Sequence, residues 1–279
     1  MHGWRKAIPQ TRDRLQSTAL TVVVGLLLLA GALAPPLGAI RLGLPLWPLG
    51  TPILVSLAFA GIVLMLRAAT PAASAIGFLV CLILAESPAA WSRFTSDPAK
   101  HWLLAALIAL FVLTFGATKY GRNRKEVRGL SESKRGRSSS QVVANLGVAG
   151  LFAAMGWYEG CVAALAEAAA DTVSSEIGQA TGHAARLVTT GRMVPAGTDG
   201  GVTGVGTLAG LAAAAVVVAV GSARHAFWPT QLLTWMSAGA GLYIDSLLGA
   251  TVERKGWMGN DLVNFSSTLA AAVLASALR

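Results

Sequence analysis

In the stretch ALAEAAADTVSSEIG, Glu167, Asp171, Ser174 and Gly178 recur at i, i+4, i+7 and i+11. On an α-helix that spacing places them on one face. A carboxylate at the middle of a bilayer costs about 2.5–3.5 kcal/mol on insertion scales, so such groups usually face a bundle interior or a water-filled cavity. A second one, Asp245, interrupts the apolar LYIDSLLGA, and a third, Asp261, lies in NDLVN between Asn260 and Asn264. Asp171, Asp245 and Asp261 are together a set of hard oxygen donors suited to Mg²⁺. Plainer roles exist for some of them. Asp171 and Glu176 can cap the watery end of a span, and Asn260 or Asp261 can N-cap the helix that follows. Asp245, inside its apolar run, has no such alternative.

Two further stretches bear on anions. VPAGTDGG, residues 194–201, interrupts greasy sequence with a proline and three glycines. Glycine permits positive φ and close backbone approach, so the N–H groups around Gly197, Thr198, Gly200 and Gly201 can converge on phosphate oxygens, with Arg192 nearby to add charge. The loop matches neither GxxxxGK[ST] nor GxGxxG, and a plain turn between two helices is the competing reading. KRGRSSSQVVANLG supplies Lys134, Arg135 and Arg137 and then Gln141 and Asn145, four residues apart on the next helix. These cations either mark the cytoplasmic side and attract anionic lipid or bind a phosphorylated substrate. Gly206 and Gly210, in GVGTLAG, read as helix packing through small residues.

The elements that must position these groups follow from hydropathy. The 279-residue chain is 54% hydrophobic and only 13% charged, with a mean hydropathy of +0.61, which excludes an ordinary soluble domain. Apolar runs of about spanning length fall near residues 18–37, 50–66, 70–86, 101–118, 141–157, 160–178, 203–221, 230–250 and 262–278. Alternating short strands of a barrel are absent, so the expectation is an all-α polytopic membrane protein of about nine transmembrane helices. Its formal charge of +9 gathers at the ends of apolar runs rather than in a basic-aromatic groove, which argues against nucleic acid. Cys81 and Cys161 lie in apolar sequence and the four histidines are scattered, so neither a disulfide framework nor a transition-metal site is expected.

The basic leader before TVVVGLLLLAGALA has features of a secretory signal, but a retained first span is the simpler account, since more spans follow. The leader and residues 119–137, whose lysines and arginines far outnumber two glutamates, are separated by four spans, so both can lie in the cytoplasm. That topology gives three parts: N-terminal membrane helices over 1–118, a basic cytoplasmic loop over 119–140, and a core membrane domain over 141–279. It also brings DTVSSEIG, VPAGTDGG, DSLLGATVERKG and GNDLVNF to one membrane face.

The ordered set SSQVVANLG, ADTVSSEIG, LVTTGRMVPAGTDGGV, LYIDSLLGAT and NDLVNFSS resembles domain of unknown function 92, the transmembrane protein 19 family, which includes plant phytyl phosphate kinase. The resemblance runs from about Gly136 to the C-terminus, and the first four spans contribute little to it. A more distant similarity of pattern links the chain to dolichol kinase and phosphatidate cytidylyltransferase. Here Ala196 and Asp199 stand where the family loop reads PPGTNGG, and Val173 where a tryptophan is expected. An extra carboxylate beside a phosphate is unfavourable unless it also faces a metal.

The resemblance implies a multi-pass enzyme of the cell membrane, its active site facing the cytoplasm, that transfers a phosphoryl group from a nucleoside triphosphate such as CTP to an isoprenyl monophosphate. In that scheme Asp171, Asp245 and Asp261 are catalytic and, with Glu176, hold Mg²⁺. Gly197, Thr198, Gly200, Gly201, Lys134, Arg137 and Arg192 bind phosphate, and Gln141, Asn145, Ser174, Asn260 and Asn264 complete the polar site. The alternatives are a CTP-dependent lipid cytidylyltransferase and a non-enzymatic transporter or scaffold. The sequence is compatible with a homo-oligomer and does not fix the oligomeric state.

Overall fold

The computed structural model describes residues 8–86, 99–130, 136–182, 184–223 and 227–278. Each of the nine apolar runs carries a helix of sixteen residues or more: α1 (Gln10–Arg41), α2 (Gly50–Met65), α3 (Pro71–Glu86), α4 (Ala99–Lys119), α6 (Ser139–Ala154), α7 (Tyr158–Thr181), α8 (Gly204–Gly221), α9 (Trp228–Leu248) and α10 (Asn260–Ala277). A short α5 (Arg122–Val127) lies between α4 and α6. Among the described residues, four segments are long and apolar enough to cross a membrane: Gln10–Arg41, Trp47–Met65, Trp102–Lys119 and Gly204–Gly221. The exposed leucines and valines of α1, among them Val22, Val23, Leu26 and Leu27, are what a lipid-facing surface requires, because hydrocarbon rather than water surrounds it.

Helix α7 is the axis of the bundle, and its side chains from Cys161 to Ala170 are all buried. It packs against α4, α6, α8, α9 and α10. The sequence allows this because alanine and glycine let helix backbones approach closely. A Cβ placed on Gly206 would lie 2.5 Å from the Ser174 carbonyl oxygen, and one on Gly210 would lie 2.5 Å from that of Ala170. These two glycines therefore seat α8 on α7.

Local signals set the helix starts. Ser138 caps α6 reciprocally with Gln141: its Oγ accepts from the Gln141 N–H at 3.3 Å, while its own N–H donates to Gln141 Oε1 at 2.8 Å. The Thr203 hydroxyl caps α8, accepting from the Gly206 N–H at 3.1 Å. Just before α6, the Arg137 N–H donates to the Ala68 carbonyl, and the Thr70 N–H donates to the Arg137 carbonyl, both at 3.0 Å. This stitches the end of the basic segment onto the α2–α3 hinge.

Gly136 makes that stitch sterically possible. Its φ is +78°, and a Cβ there would lie 2.7 Å from the backbone at Arg67, Ala68 and Ala69. Gly136→Ala is expected to destabilise the fold by about 1–3 kcal/mol, the usual cost of a non-glycine residue held in the left-handed region. A lowered midpoint of thermal unfolding in detergent checks it.

The all-α expectation gives way at one end of the bundle. Residues 185–202 form a three-stranded antiparallel sheet in the order β2-β1-β3, from β1 (Ala185–Leu187), β2 (Met193–Val194) and β3 (Gly201–Val202). Ala185 opposes Val194, and Leu187 opposes Gly201. The segment lies between the apolar runs, so its backbone groups must find partners outside a helix, and they find one another.

Candidate functional site

The glycine loop is the connection between β2 and β3. The Thr198 N–H donates to the Pro195 carbonyl at 3.2 Å, and the Gly201 N–H donates to the Thr198 carbonyl at 2.8 Å. Two turns thus follow one another and share Thr198. Each has a glycine with positive φ at its third position, Gly197 at +79° and Gly200 at +70°, where a residue with a Cβ is strained. The loop is pressed against the end of α9, where the helix widens into a π-helical turn (Gly249–Glu253). Any Cβ on Gly200 would collide with Ala250, and one on Gly249 would lie 2.8 Å from the Gly200 nitrogen. Turn geometry and close docking therefore both demand these glycines.

Beneath the loop lies a polar cavity of about 270 Å³. Its walls come from the start of α6 (Arg137, Gln141, Asn145), the second half of α7 (Asp171, Thr172, Ser174, Ser175, Glu176, Gly178, Gln179) and the loop itself (Ala196 to Thr203). The end of α9 with its π turn (Asp245, Ser246, Glu253) and the start of α10 (Asn260, Asn264) close it. Five stretches separated in sequence thus meet at one end of the bundle. Glycines at the α7–α8 crossing and the docked loop bring them this near.

The acids differ in their surroundings. Asp245 accepts from the Ser267 hydroxyl at 3.3 Å. With its amide oriented to donate, Asn264 reaches the same oxygen at 3.3 Å and the Asn260 carbonyl at 3.1 Å. Asp245 is also within electrostatic range of Asp171, Glu167 and Glu253. Asp171 feels the positive charge of Arg137, whose guanidinium donates to the Thr172 hydroxyl at 3.4 Å. Glu167, deeper on the same face of α7, accepts from the Thr268 hydroxyl at 2.8 Å and does not line the cavity. Asp171, Glu176, Asp199, Asp245 and Glu253 line it against one described cation, Arg137.

Of the residues expected from sequence, Asp171, Asp245, Arg137, Gly197, Thr198, Gly200, Gly201, Gln141, Asn145, Ser174, Asn260 and Asn264 line this cavity. Others are placed differently. Asp261 points away, accepting from the Ser17 hydroxyl of α1 at 2.7 Å, next to bonds from Arg12 to the Gly256 carbonyl and from Gln16 to that of Trp257. Arg192 is exposed beside the turn between β1 and β2 and is not part of the wall. Lys134 lies outside the described residues. Glu176 lines the cavity but is bound in a buried ion pair with Lys125. Among the described residues no three His, Cys, Asp or Glu side chains stand close enough to cage a metal. The expected quartet of Asp171, Glu176, Asp245 and Asp261 is therefore not assembled, because two of its members have other partners.

The participants not expected from the sequence include Glu253, Ser246 and Lys125. Glu253 lies about two helical turns beyond Asp245, and the π turn, invisible in sequence, brings it to the cavity. Ser246 follows Asp245 directly and was masked by the apolar run around it. Lys125 was one of many cations in the basic segment, with nothing to mark it as the buried one.

Taken together, the bundle of apolar helices and a carboxylate-lined cavity at its end define a polytopic helical membrane protein with a polar site at one end. The chain belongs to the DUF92 family of integral membrane proteins, whose model matches residues 54–272. That match begins within α2, so the family relation takes in more of the N-terminal helices than the motif resemblance from Gly136 onward implied. An uncharacterised membrane protein of Methanocaldococcus jannaschii is 33% identical over 179 residues, 61% of this chain and 74% of the relative. The chloroplastic protein VTE6 of Arabidopsis thaliana is 32% identical over 184 residues, 60% of this chain and 55% of VTE6. An uncharacterised membrane protein of Synechocystis is 31% identical over 183 residues, 61% of this chain and 70% of the relative. The chain thus matches only about half the length of VTE6. No solved structure matches the chain.

Proposed function

We propose that the protein is a membrane-embedded kinase of isoprenyl monophosphates, the activity implied by its family resemblance to phytyl phosphate kinase. The observation that carries this reading is the convergence of Asp171, Asp245, the double-turn glycine loop and Arg137 on one cavity at the end of an apolar bundle. A lipid phosphate has its charge at headgroup level and its chain in the bilayer, so chemistry on it requires polar groups at the end of such a bundle. The wall is too acidic to receive two phosphorylated substrates unaided, since five carboxylates line it.

Asp171 and Asp245 suit Mg²⁺, which is commonly held by one or two carboxylates together with substrate phosphates and water rather than by a cage of protein ligands. When bound, the ion neutralises the charge of the phosphates being brought together. In the reaction an oxygen of the lipid monophosphate attacks the γ-phosphorus of the nucleotide. The bond from that phosphorus to the β–γ bridging oxygen breaks, and a nucleoside diphosphate leaves. No general base is required, because the attacking phosphate is already anionic near neutral pH. The protein supplies position and charge, the usual means of catalysing phosphoryl transfer. Arg137 faces the incoming phosphates, and the backbone of residues 196–201 shapes the wall they meet.

The test is direct. Purified protein incubated with Mg²⁺, a panel of nucleoside triphosphates and isoprenyl monophosphates is expected to form the isoprenyl diphosphate and release a nucleoside diphosphate. Release of pyrophosphate with a nucleotidyl-lipid product would instead identify a cytidylyltransferase.

A further inference from the structure

A second cavity, of about 350 Å³, lies among α2, α3, α4 and α6, within the size range of small-ligand sites. Its interior is apolar: Phe59 and Phe111 meet edge to face at 5.7 Å, Phe111 and Phe115 stack at 5.7 Å, and Val63 and Leu110 complete the wall. Four cations, Arg67, Lys119, Arg122 and Arg137, also line it, with Arg122 paired to Glu126 at 3.0 Å, and no described acidic residue lines it. Arg137 and Asn145 line this groove and the polar cavity alike. The stitch through Gly136 and Arg137 to the α2–α3 hinge fixes that shared wall.

We infer that this groove holds the hydrocarbon tail of a single-chain lipid phosphate, whose head passes Arg137 into the polar cavity. The inference rests on the kinase reading for the identity of the lipid. The occupant is argued from charge and continuity. Cations lining an aromatic cleft suit an anionic head on an apolar chain, and the shared wall leads that head to the acids that would act on it. One narrow cleft of this volume takes one chain, not the two of a diacyl lipid. The first helices are then part of the substrate site rather than a support for it.

The test uses the full-length protein in nanodiscs and a farnesyl monophosphate analogue bearing a diazirine at the tail end, with labelled peptides mapped by mass spectrometry. Label competed by unlabelled farnesyl monophosphate, but not by inorganic phosphate, is expected on α2, α3, α4 or α6. Gly77→Leu and Ala60→Trp fill the groove from α3 and α2, and each is expected to cut that label at least tenfold. Gly77→Ala is expected to keep it, because a Cβ there finds only Phe59, at 3.9 Å. Competed label confined to α8–α10, or label in the groove that both blocking variants leave unchanged while they remain folded, overturns the inference. Label is read without turnover. Groove labelling with no diphosphate product would sink the kinase reading alone, and product formed with the label elsewhere would sink the groove alone.

Discussion

Asp245→Asn is expected to lower the rate of lipid diphosphate formation by about 10²–10³-fold, the typical loss when one preorganised electrostatic group is removed from an active site. The substitution preserves shape and removes the charge. Asp245 sits where α9 meets its π turn, accepts from Ser267 and Asn264, and shares the cavity with Asp171. Glu167, Asp171 and Glu253 stand within electrostatic range of it, an arrangement that a countercation would relieve. The loss is expected to appear mainly in kcat, with a raised Mg²⁺ requirement and little change in lipid KM. The matched control is Asp261→Asn. Its carboxylate accepts from Ser17 outside the cavity, so turnover is expected to fall by no more than a few-fold. Equal losses in the two variants, measured on protein of equal thermal stability, would refute the assignment of the cavity as the reaction site.

The second large effect is on stability. Lys125 and Glu176 form an ion pair with side chains only 1% and 8% exposed, and Lys125 Nζ also donates to the Ala117 carbonyl at 3.2 Å and to that of Thr118 at 2.9 Å. One ammonium group thus ties the end of α4, the short α5 that carries it, and α7 together. Lys125→Ala leaves a buried carboxylate without its partner and removes one donor from each of two carbonyls, of which that of Ala117 keeps the Tyr120 N–H. A loss of about 3–5 kcal/mol is expected, as for breaking a buried pair from one side. Unfolding in detergent followed by a tryptophan or thermal probe measures it. Lys125→Met combined with Glu176→Leu is expected to recover most of the loss, because exchanging a buried pair for apolar side chains is often close to neutral. Failure of the double variant to recover would mean that the donated carbonyl bonds, rather than the unpaired charge, dominate.

Much of the architecture was written in the periodicity of the chain. Helices cannot leave backbone groups unpaired in hydrocarbon, so long uncharged runs such as 203–221 had little choice but to become helices. The Glu167–Asp171–Ser174–Gly178 spacing likewise fixes one face of α7, and hydropathy with loop charge places the polar ends of four helices on one face, the ends that line the cavity. What stayed hidden depends on side-chain partners. Asp261 and Asp245 both stood in the expected metal-binding set, yet Ser17, more than two hundred positions from Asp261 in sequence, holds that carboxylate outside the cavity. Lys125 and Lys134 belonged to the same basic run, and only tertiary packing buries Lys125 against Glu176.

The glycine loop shows both sides of this. Its composition announced a turn or an anion loop as alternatives, and the structure shows two fused turns that also line the cavity. Asp199, the residue at odds with an anion-binding loop, lines that cavity too. Asp171 and Asp245 line the same cavity, so on the proposed reading Asp199 adds to a wall that needs a cation before a phosphate can enter. The small sheet of residues 185–202 was not legible because strands of two or three residues leave almost no alternation to read.

The most direct test of the central claim follows the phosphoryl group itself. Nucleoside triphosphate labelled with heavy oxygen on its γ-phosphate is supplied with Mg²⁺ and an isoprenyl monophosphate, and the lipid products are weighed by mass spectrometry. The account predicts a lipid diphosphate whose terminal phosphate carries the label, formed by the native protein and lost in Asp171→Asn. Label appearing only in inorganic phosphate, or a labelled diphosphate formed equally well by Asp171→Asn, would contradict it.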